Sequence, residues 1–174
     1  MLRNHFMLAS HFFQLPALLL TTLAANAQQQ IIAYVFPQET QLRPADIDTA
    51  KLTRINYAFA NIANGQVVNG FTHDASNLAI LTALRSTHPH LTILVSVGGW
   101  GWSGGFSDAA LTPASRARFV ESAVAFLHRY DLDGLDIDWE YPGLPGAGHT
   151  FRPQDRENYT LLLAALHNLS LIHI

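Results

Sequence analysis

Apolar runs and stretches of helical period alternate along the chain. Residues 31–36 (Ile-Ile-Ala-Tyr-Val-Phe), 54–60 and 91–97 are short and rich in β-branched or aromatic side chains, and each predicts a strand. The third of these is nearly all apolar, as expected of a parallel strand covered on both faces. A fourth strand is predicted over 132–140. Between them, 44–51 reads as a weak helical turn. Residues 74–86 carry Leu78, Leu81 and Leu84 at helical spacing, with Asp74 as candidate N-cap. Thr112-Pro113 opens another helix, Thr as N-cap and Pro at the first helical position, with Phe119, Val120, Ala123, Val124 and Leu127 on its apolar face. A last helix is expected over 153–168. Asn64-Gly65 and Asn69-Gly70 bracket a small hairpin at 66–68.

Strand and helix in repeated alternation mean an α/β fold with a parallel sheet. Two closures satisfy the pattern, an open doubly wound sheet and a (β/α)8 barrel, and periodicity does not choose between them. A barrel takes about 250 residues, so this chain would supply about half of one.

The two ends read differently from the middle. Arg3, an apolar stretch over 12–25 and the Ala25-Asn26-Ala27 site predict a secretory signal peptide at 1–27, and hence a secreted or periplasmic protein. The stretch is shorter than the roughly 20 residues that span a bilayer, and Gln14 and Pro16 interrupt it. Residues 169–174 (Leu-Ser-Leu-Ile-His-Ile) resemble a translated sequencing-library adapter and are set apart as a tail. The protein is then 28–168. With 49% hydrophobic residues it is globular in composition; with a formal net charge of −3 and no Lys/Arg run it does not look like a nucleic-acid binder. It has no cysteine, so neither a disulfide framework nor a thiolate metal site is available. None of its nine histidines falls at a metal-ligand spacing, and no metal or cofactor is expected.

The chemistry concentrates in residues 133–142, Asp-Gly-Leu-Asp-Ile-Asp-Trp-Glu-Tyr-Pro. Alternate side chains of a strand share a face, so Asp136, Asp138 and Glu140 point one way. Leu135, Ile137 and Trp139 point the other way, toward covering helices, and Asp133 has the opposite parity to the acids. Positions i and i+2 are about 7 Å apart, so three carboxylates in one half-buried site cannot all ionise freely and at least one pKa must rise. A fold that needed only stability would put apolar residues there. Two chemistries fit: a hard-cation site for magnesium or calcium, and carboxylate acid/base catalysis on a glycosidic bond. Glu140 stands at the C-terminal end of its strand, where parallel barrels build active sites.

This segment resembles the D-x-x-D-x-D-x-E signature of family 18 glycoside hydrolases. Ser96-Val97-Gly98-Gly99-Trp100 resembles the same family's S-x-G-G motif, and 56–60 its second strand. The resemblance implies a (β/α)8 TIM barrel, of which 28–168 would be the first four βα units. It implies a chitinase acting on chitin or chito-oligosaccharides, by a retaining mechanism in which the substrate's own acetamido oxygen is the nucleophile. Glu140 would be the acid/base, with a raised pKa suiting it to that role. Asp138 would orient the acetamido group, Asp136 would share a proton with Asp138, and Asp133 would support the strand. Tyr34 and Ser96 match family positions that hydrogen-bond around the first motif aspartates. Gly98 and Gly99 would permit close backbone approach or positive φ. Trp100 and Tyr141 are candidate sugar platforms, and Trp102 would line the cleft or pack beneath a loop. The family also contains endo-β-N-acetylglucosaminidases and binding proteins that do not cleave. A monomer is expected for the full-length protein. Half a barrel would leave the strands of Tyr34 and Glu140 unpaired at their edges, so the chain by itself is expected to be poorly folded and inactive.

Overall fold

The computed structural model describes residues 29–173, with side chains through Asn168. The expected signal peptide at 1–27 and the side chains of the expected tail at 169–174 lie outside the described residues. Five strands and four α-helices follow in the order β1 (Ile32–Val35), β2 (Arg54–Ala63), β3 (Gln66–Val68), α1 (Asp74–Ala83), β4 (Thr92–Gly98), α2 (Phe106–Leu111), α3 (Pro113–Tyr130), β5 (Gly134–Asp138) and α4 (Asp155–His173). Four strands form a parallel sheet in the order β1-β2-β4-β5, and β3 returns antiparallel along the end of β2 as the expected hairpin.

The sheet is curled. Neighbouring strands are about 4.8 Å apart, so β1 and β5 would stand about 14 Å apart in a flat sheet. Yet the Tyr34 hydroxyl on β1 donates to Asp136 Oδ2 on β5 over 2.9 Å. The four strands therefore make a trough, and all the helices pack outside it. Ile55, Tyr57, Ile93, Val95 and Val97 on the convex face meet Leu78 and Leu81 of α1, Phe106 of α2, Phe119 and Ala123 of α3, and Leu162 of α4 in one buried cluster. Each large side chain so buried contributes about 1.5–3 kcal/mol. A single helical layer on the convex face, with acids on the concave one, is a barrel segment and not a doubly wound sheet, which has helices on both faces.

Local chemistry explains most boundaries. Thr112 caps α3 in a reciprocal box: its Oγ1 accepts from Ser115 N (3.1 Å) and Ser115 Oγ accepts from Thr112 N (2.9 Å). Such a cap stabilises a helix by about 1 kcal/mol. At the N-terminal end of β5, Asp133 Oδ2 accepts from Ile93 N (2.6 Å) and Oδ1 pairs with Arg85 (2.9 Å), which fixes β5 against β4.

Several expectations change. Asp74 is not the N-cap of α1; His73 occupies that position, without a side-chain bond, and Asp74 is the first helical residue. Its carboxylate, 1% exposed, turns back to accept from Gly70 N, Phe71 N and the Tyr57 hydroxyl. The turn at 44–51 is two 3-10 turns, Pro44–Asp46 and Thr49–Lys51. The fourth parallel strand spans Gly134–Asp138 and stops short of Glu140. Helix α2 is an element the sequence pattern does not announce, because residues 100–111 carry too many Gly and Ser for a helical period to show. The pairing of β2 with β4 slips between Ala58 and Ala60. Before that bulge the odd positions Ile55 and Tyr57 face the helices; after it Ala60 joins the core and Phe59 turns to the concave side.

Candidate active site

The concave face and the C-terminal ends of the strands hold most of the residues singled out from the sequence. Asp136 lies opposite Ser96, and Asp138 opposite Gly98, in the β4–β5 ladder. Tyr34, paired in register with Asn56, reaches across the trough to Asp136. Burial raises the Tyr34 pKa above that of a free phenol; Asn56 opposes the rise, and the charges of Asp136 and Asp138 add to it. The phenol therefore stays protonated and keeps donating to Asp136. Ser96 is fully buried on this face, but its Oγ, like Asn56 Oδ1, has no hydrogen-bond partner among the described residues, so the expected bond from Ser96 to an aspartate is not formed.

Asp138 carries the raised carboxyl pKa that the sequence required of the triplet. Burial is the largest cause, followed by repulsion from Glu140 and then from Asp136. The middle member of three acids has a like charge on each side. Its pKa lies above the ordinary 3.8 in the folded protein, so folding binds that proton and ionisation opposes folding. The favourable contribution is complete below the unfolded value and is lost as pH rises through the folded one. Asp138→Asn should thus have the higher Tm at pH 7, with the gap closing below about pH 4. Calorimetry at the two pH values checks this, and an Asn variant no more stable at pH 7 would contradict it.

Glu140 lies two residues beyond the strand, with an exposed side chain, and its amide donates to Ser103 Oγ (3.1 Å). The Gly98-Gly99 turn seats this segment. Gly98 has φ +110° and Gly99 φ +81°, and a Cβ on Gly98 would fall 2.3 Å from the Asp138 carbonyl oxygen. A Cβ on Gly99 would strike the Phe59 ring at 2.9 Å. Both requirements expected of these glycines, close approach and positive φ, are met. Gly99 N donates to Asp138 O over 2.9 Å and ties the turn to the strand of acids.

Aromatic rings flank the acids. Trp100, 67% exposed, meets Tyr141 edge-on with centroids 5.2 Å apart, and the Tyr141 hydroxyl donates to Trp100 O (2.5 Å). Phe36, Phe59, Phe71 and Trp102 line a cleft of about 340 Å³ beside the Gly98–Trp100 turn, and Phe71 and Trp102 are 4.7 Å apart. Trp102 is thus a cleft residue. Trp139 is buried, stacked on Phe106 at 5.2 Å, as parity requires. Asp133 is at the far end of β5 and takes no part in the site. Sequence reasoning missed Phe36, Phe59, Phe71 and Ser103. The three phenylalanines come from separate strand ends and loops, and only the tertiary fold brings them together. A larger apolar groove of about 500 Å³ runs along the open edge of β5 between α3 and α4, on the helical side. Among the described residues no group of three or more His, Asp or Glu side chains is arranged to hold a metal ion, and no helix is long and apolar enough to cross a membrane.

Comparison with known proteins gives the same answer along the chain. Chitinase A1 of Niallia circulans is 39% identical, over 70% of this chain and 24% of its own length. The chitinase domain of the spore coat protein CotE from Clostridium difficile superposes with a TM-score of 0.73 at 39% identity, covering 87% of this chain and 42% of that one. Human YKL-39, described as a pseudo-chitinase with retained chitooligosaccharide binding, superposes with a TM-score of 0.67 at 25% identity over 81% of this chain and 38% of its own. The chain spans about a quarter of the length of the curated relatives it matches first. The family model described as glycosyl hydrolases family 18 matches residues 30–172, the stretch that builds the trough, its glycine turn and its row of acids, and the chain belongs to that family.

Proposed function

We propose that this chain supplies the acid-bearing half of a barrel that hydrolyses β-1,4 bonds of chitin and chito-oligosaccharides with retention at the anomeric carbon. The observation that carries the reading is the convergence of Asp136 and Asp138 on the concave face with Glu140 at its rim, and Asp138 lifted by burial and then by both neighbours. In the first step Glu140 gives its proton to the glycosidic oxygen, and the C1–O bond breaks as the acetamido oxygen of the same sugar forms a bond to C1. The product is an oxazolinium ion and a free alcohol. In the second step Glu140, now ionised, takes a proton from water, whose oxygen attacks C1 from the face the alcohol left while the bond from C1 to the acetamido oxygen breaks and the acetamido group is restored. Two inversions give net retention, and the substrate provides the nucleophile that most retaining glycosidases take from a second carboxylate.

Asp138 accepts from the acetamido N–H, which directs the carbonyl oxygen toward C1 and stabilises the positive charge that develops on nitrogen. Asp136, held by the Tyr34 hydroxyl, is the neighbour with which Asp138 shares a proton when it is protonated. Sugar rings present apolar C–H faces, and Trp100, Tyr141 and the Phe36–Trp102 cleft offer aromatic faces to meet them. The open edges of β1 and β5 would have to be paired for the cavity to close, so the isolated chain would be inactive. Export through residues 1–27 would bring the enzyme to its polymer.

The test is a pair of substrates and one stereochemical readout, in the full-length protein. A chitin hexasaccharide should release the β-anomer first by NMR, and the fully deacetylated hexasaccharide should not be cleaved. Release of the α-anomer, or comparable cleavage without acetamido groups, would overturn the mechanism.

A further inference from the structure

Pairing between β4 and β5 ends at Gly98 and Asp138, because Gly99 turns the chain away with φ +81°. The Glu140 amide therefore loses the ladder acceptor it would have had in a longer strand. A carboxylate that must hold a fixed geometry is thereby left on backbone with no strand partner. The structure supplies a substitute. Ser103, 2% exposed and two residues before the end of the short turn into α2, places its hydroxyl at the junction. Ser103 Oγ accepts from Glu140 N (3.1 Å), and its single proton lies between two carbonyls, Gly99 O (2.9 Å) and Asp138 O (3.0 Å). One hydroxyl thus joins the glycine turn, the last residue of β5 and the residue two beyond it.

We infer that Ser103 is the positioning residue of Glu140: its hydroxyl carries the strand geometry past the end of β5 and holds Glu140 on the side of Asp138. Two observations support this beyond the bonds. Asp138 is raised by the charge of Glu140 as well as by that of Asp136, so the two carboxylates are near enough to interact where strand pairing has stopped. Gly99 O also receives the backbone N–H groups of Trp102 and Ser103, and Asp138 O that of Gly99, so both carbonyls are satisfied without the serine. Among the described residues the Glu140 amide has no other partner. Of the three contacts, only the one to Glu140 lacks an alternative. A purely local role, the hydroxyl bonding back four residues to Gly99, would not need a lone pair aimed at Glu140 N.

This inference rests on the acid/base reading of Glu140, and the experiment separates the two. Ser103→Ala, Ser103→Cys and Glu140→Gln are made in the full-length protein and assayed on a chitin hexasaccharide, with Tm and oligosaccharide Kd measured on each. A misplacement of the order of 1 Å can cost roughly 10²-fold in rate. Ser103→Ala should therefore lower kcat by about 10- to 100-fold with KM and Kd little changed, and should displace the basic limb of its pH–rate profile. Cysteine nearly preserves the volume but bonds hydrogen weakly, so Ser103→Cys should fall the same way and replaces the alanine variant if that does not fold. Unchanged kcat and pH profile in folded Ser103 variants, beside an inactive Glu140→Gln, would overturn the positioning role alone. Turnover retained in Glu140→Gln would overturn the acid/base reading, and the inference with it.

Discussion

Glu140→Gln, in the full-length protein, should turn over chitin oligosaccharides about 10² to 10⁴ times more slowly while still binding them. The amide has nearly the volume of the acid and leaves the backbone bond to Ser103 Oγ intact, so neither the cleft nor the fold changes. What it lacks is a proton to give. The departing sugar would leave as an alkoxide, and the later step would lose the base that activates water. Both losses fall on transition states and not on the bound substrate, so kcat and kcat/KM should drop together with KM nearly constant. The deficit should shrink for a 4-nitrophenyl glycoside, whose phenolate leaves without a proton. Steady-state kinetics on the two substrates checks this. Wild-type turnover of the oligosaccharide by Glu140→Gln would remove Glu140 from the chemistry.

The parts of this site legible in the sequence are those governed by short-range rules. Period-2 alternation put Asp136, Asp138 and Glu140 on one side and Trp139 in the core; Trp139 is buried and Asp136 meets Tyr34 across the trough as that alternation requires, whereas Glu140 stands two residues past the end of β5, where strand alternation alone no longer fixes the face. Gly98-Gly99 announced a backbone that side chains could not follow. The spacing of the acids also required that at least one of the three have a raised pKa, without itself saying which. The answer, Asp138, depends on burial and on having a charge on each side, and burial is a property of the trough. Curvature was not legible in the periodicity, which left two closures open, and came only from the family resemblance. Nothing in the alternation of residues 31–36 or 133–140 says that Tyr34 and Asp136 touch; the resemblance alone placed Tyr34 near the motif aspartates, and the contact depends on how three strand pairs twist and curl together. The bulge at Phe59 is a second case: the run 54–60 reads as uniform strand, yet the slip in register exchanges the faces of everything after Ala58 and turns Phe59 to the cleft. Ser103 was hidden for a third reason. A serine among glycines reads as a turn residue, and its partner is 37 positions away.

The largest effect on stability should come from one methyl group, in Gly98→Ala. At φ +110° an alanine is outside even the left-handed helical region, where strain costs about 1–3 kcal/mol. The added carbon would also lie 2.3 Å from Asp138 O and 2.7 Å from Phe106 Cε2, both far inside van der Waals contact. Neither neighbour can withdraw. Asp138 O is held by the Gly99 amide in the last rung between β4 and β5, and Phe106 is fully buried with its ring stacked on Trp139. Relief therefore means either opening the end of the β4–β5 ladder or shifting the core, and overpacking of this kind costs a further 1–3 kcal/mol or so. Together the two terms reach about 2–6 kcal/mol, a large share of the roughly 5–15 kcal/mol that holds a domain folded. Gly101→Ala is the matched control, three residues on, where an added Cβ meets nothing within 4 Å and which should stay within about 0.5 kcal/mol of wild type. Urea unfolding of both variants in the full-length protein decides the matter: a Gly98→Ala midpoint close to that of Gly101→Ala would mean that the turn beneath Asp138 is not the rigid seat described here. Activity should follow the same order, because the carbonyl that the new methyl displaces is that of Asp138 itself, and any opening of the ladder moves Asp138 and Glu140 together.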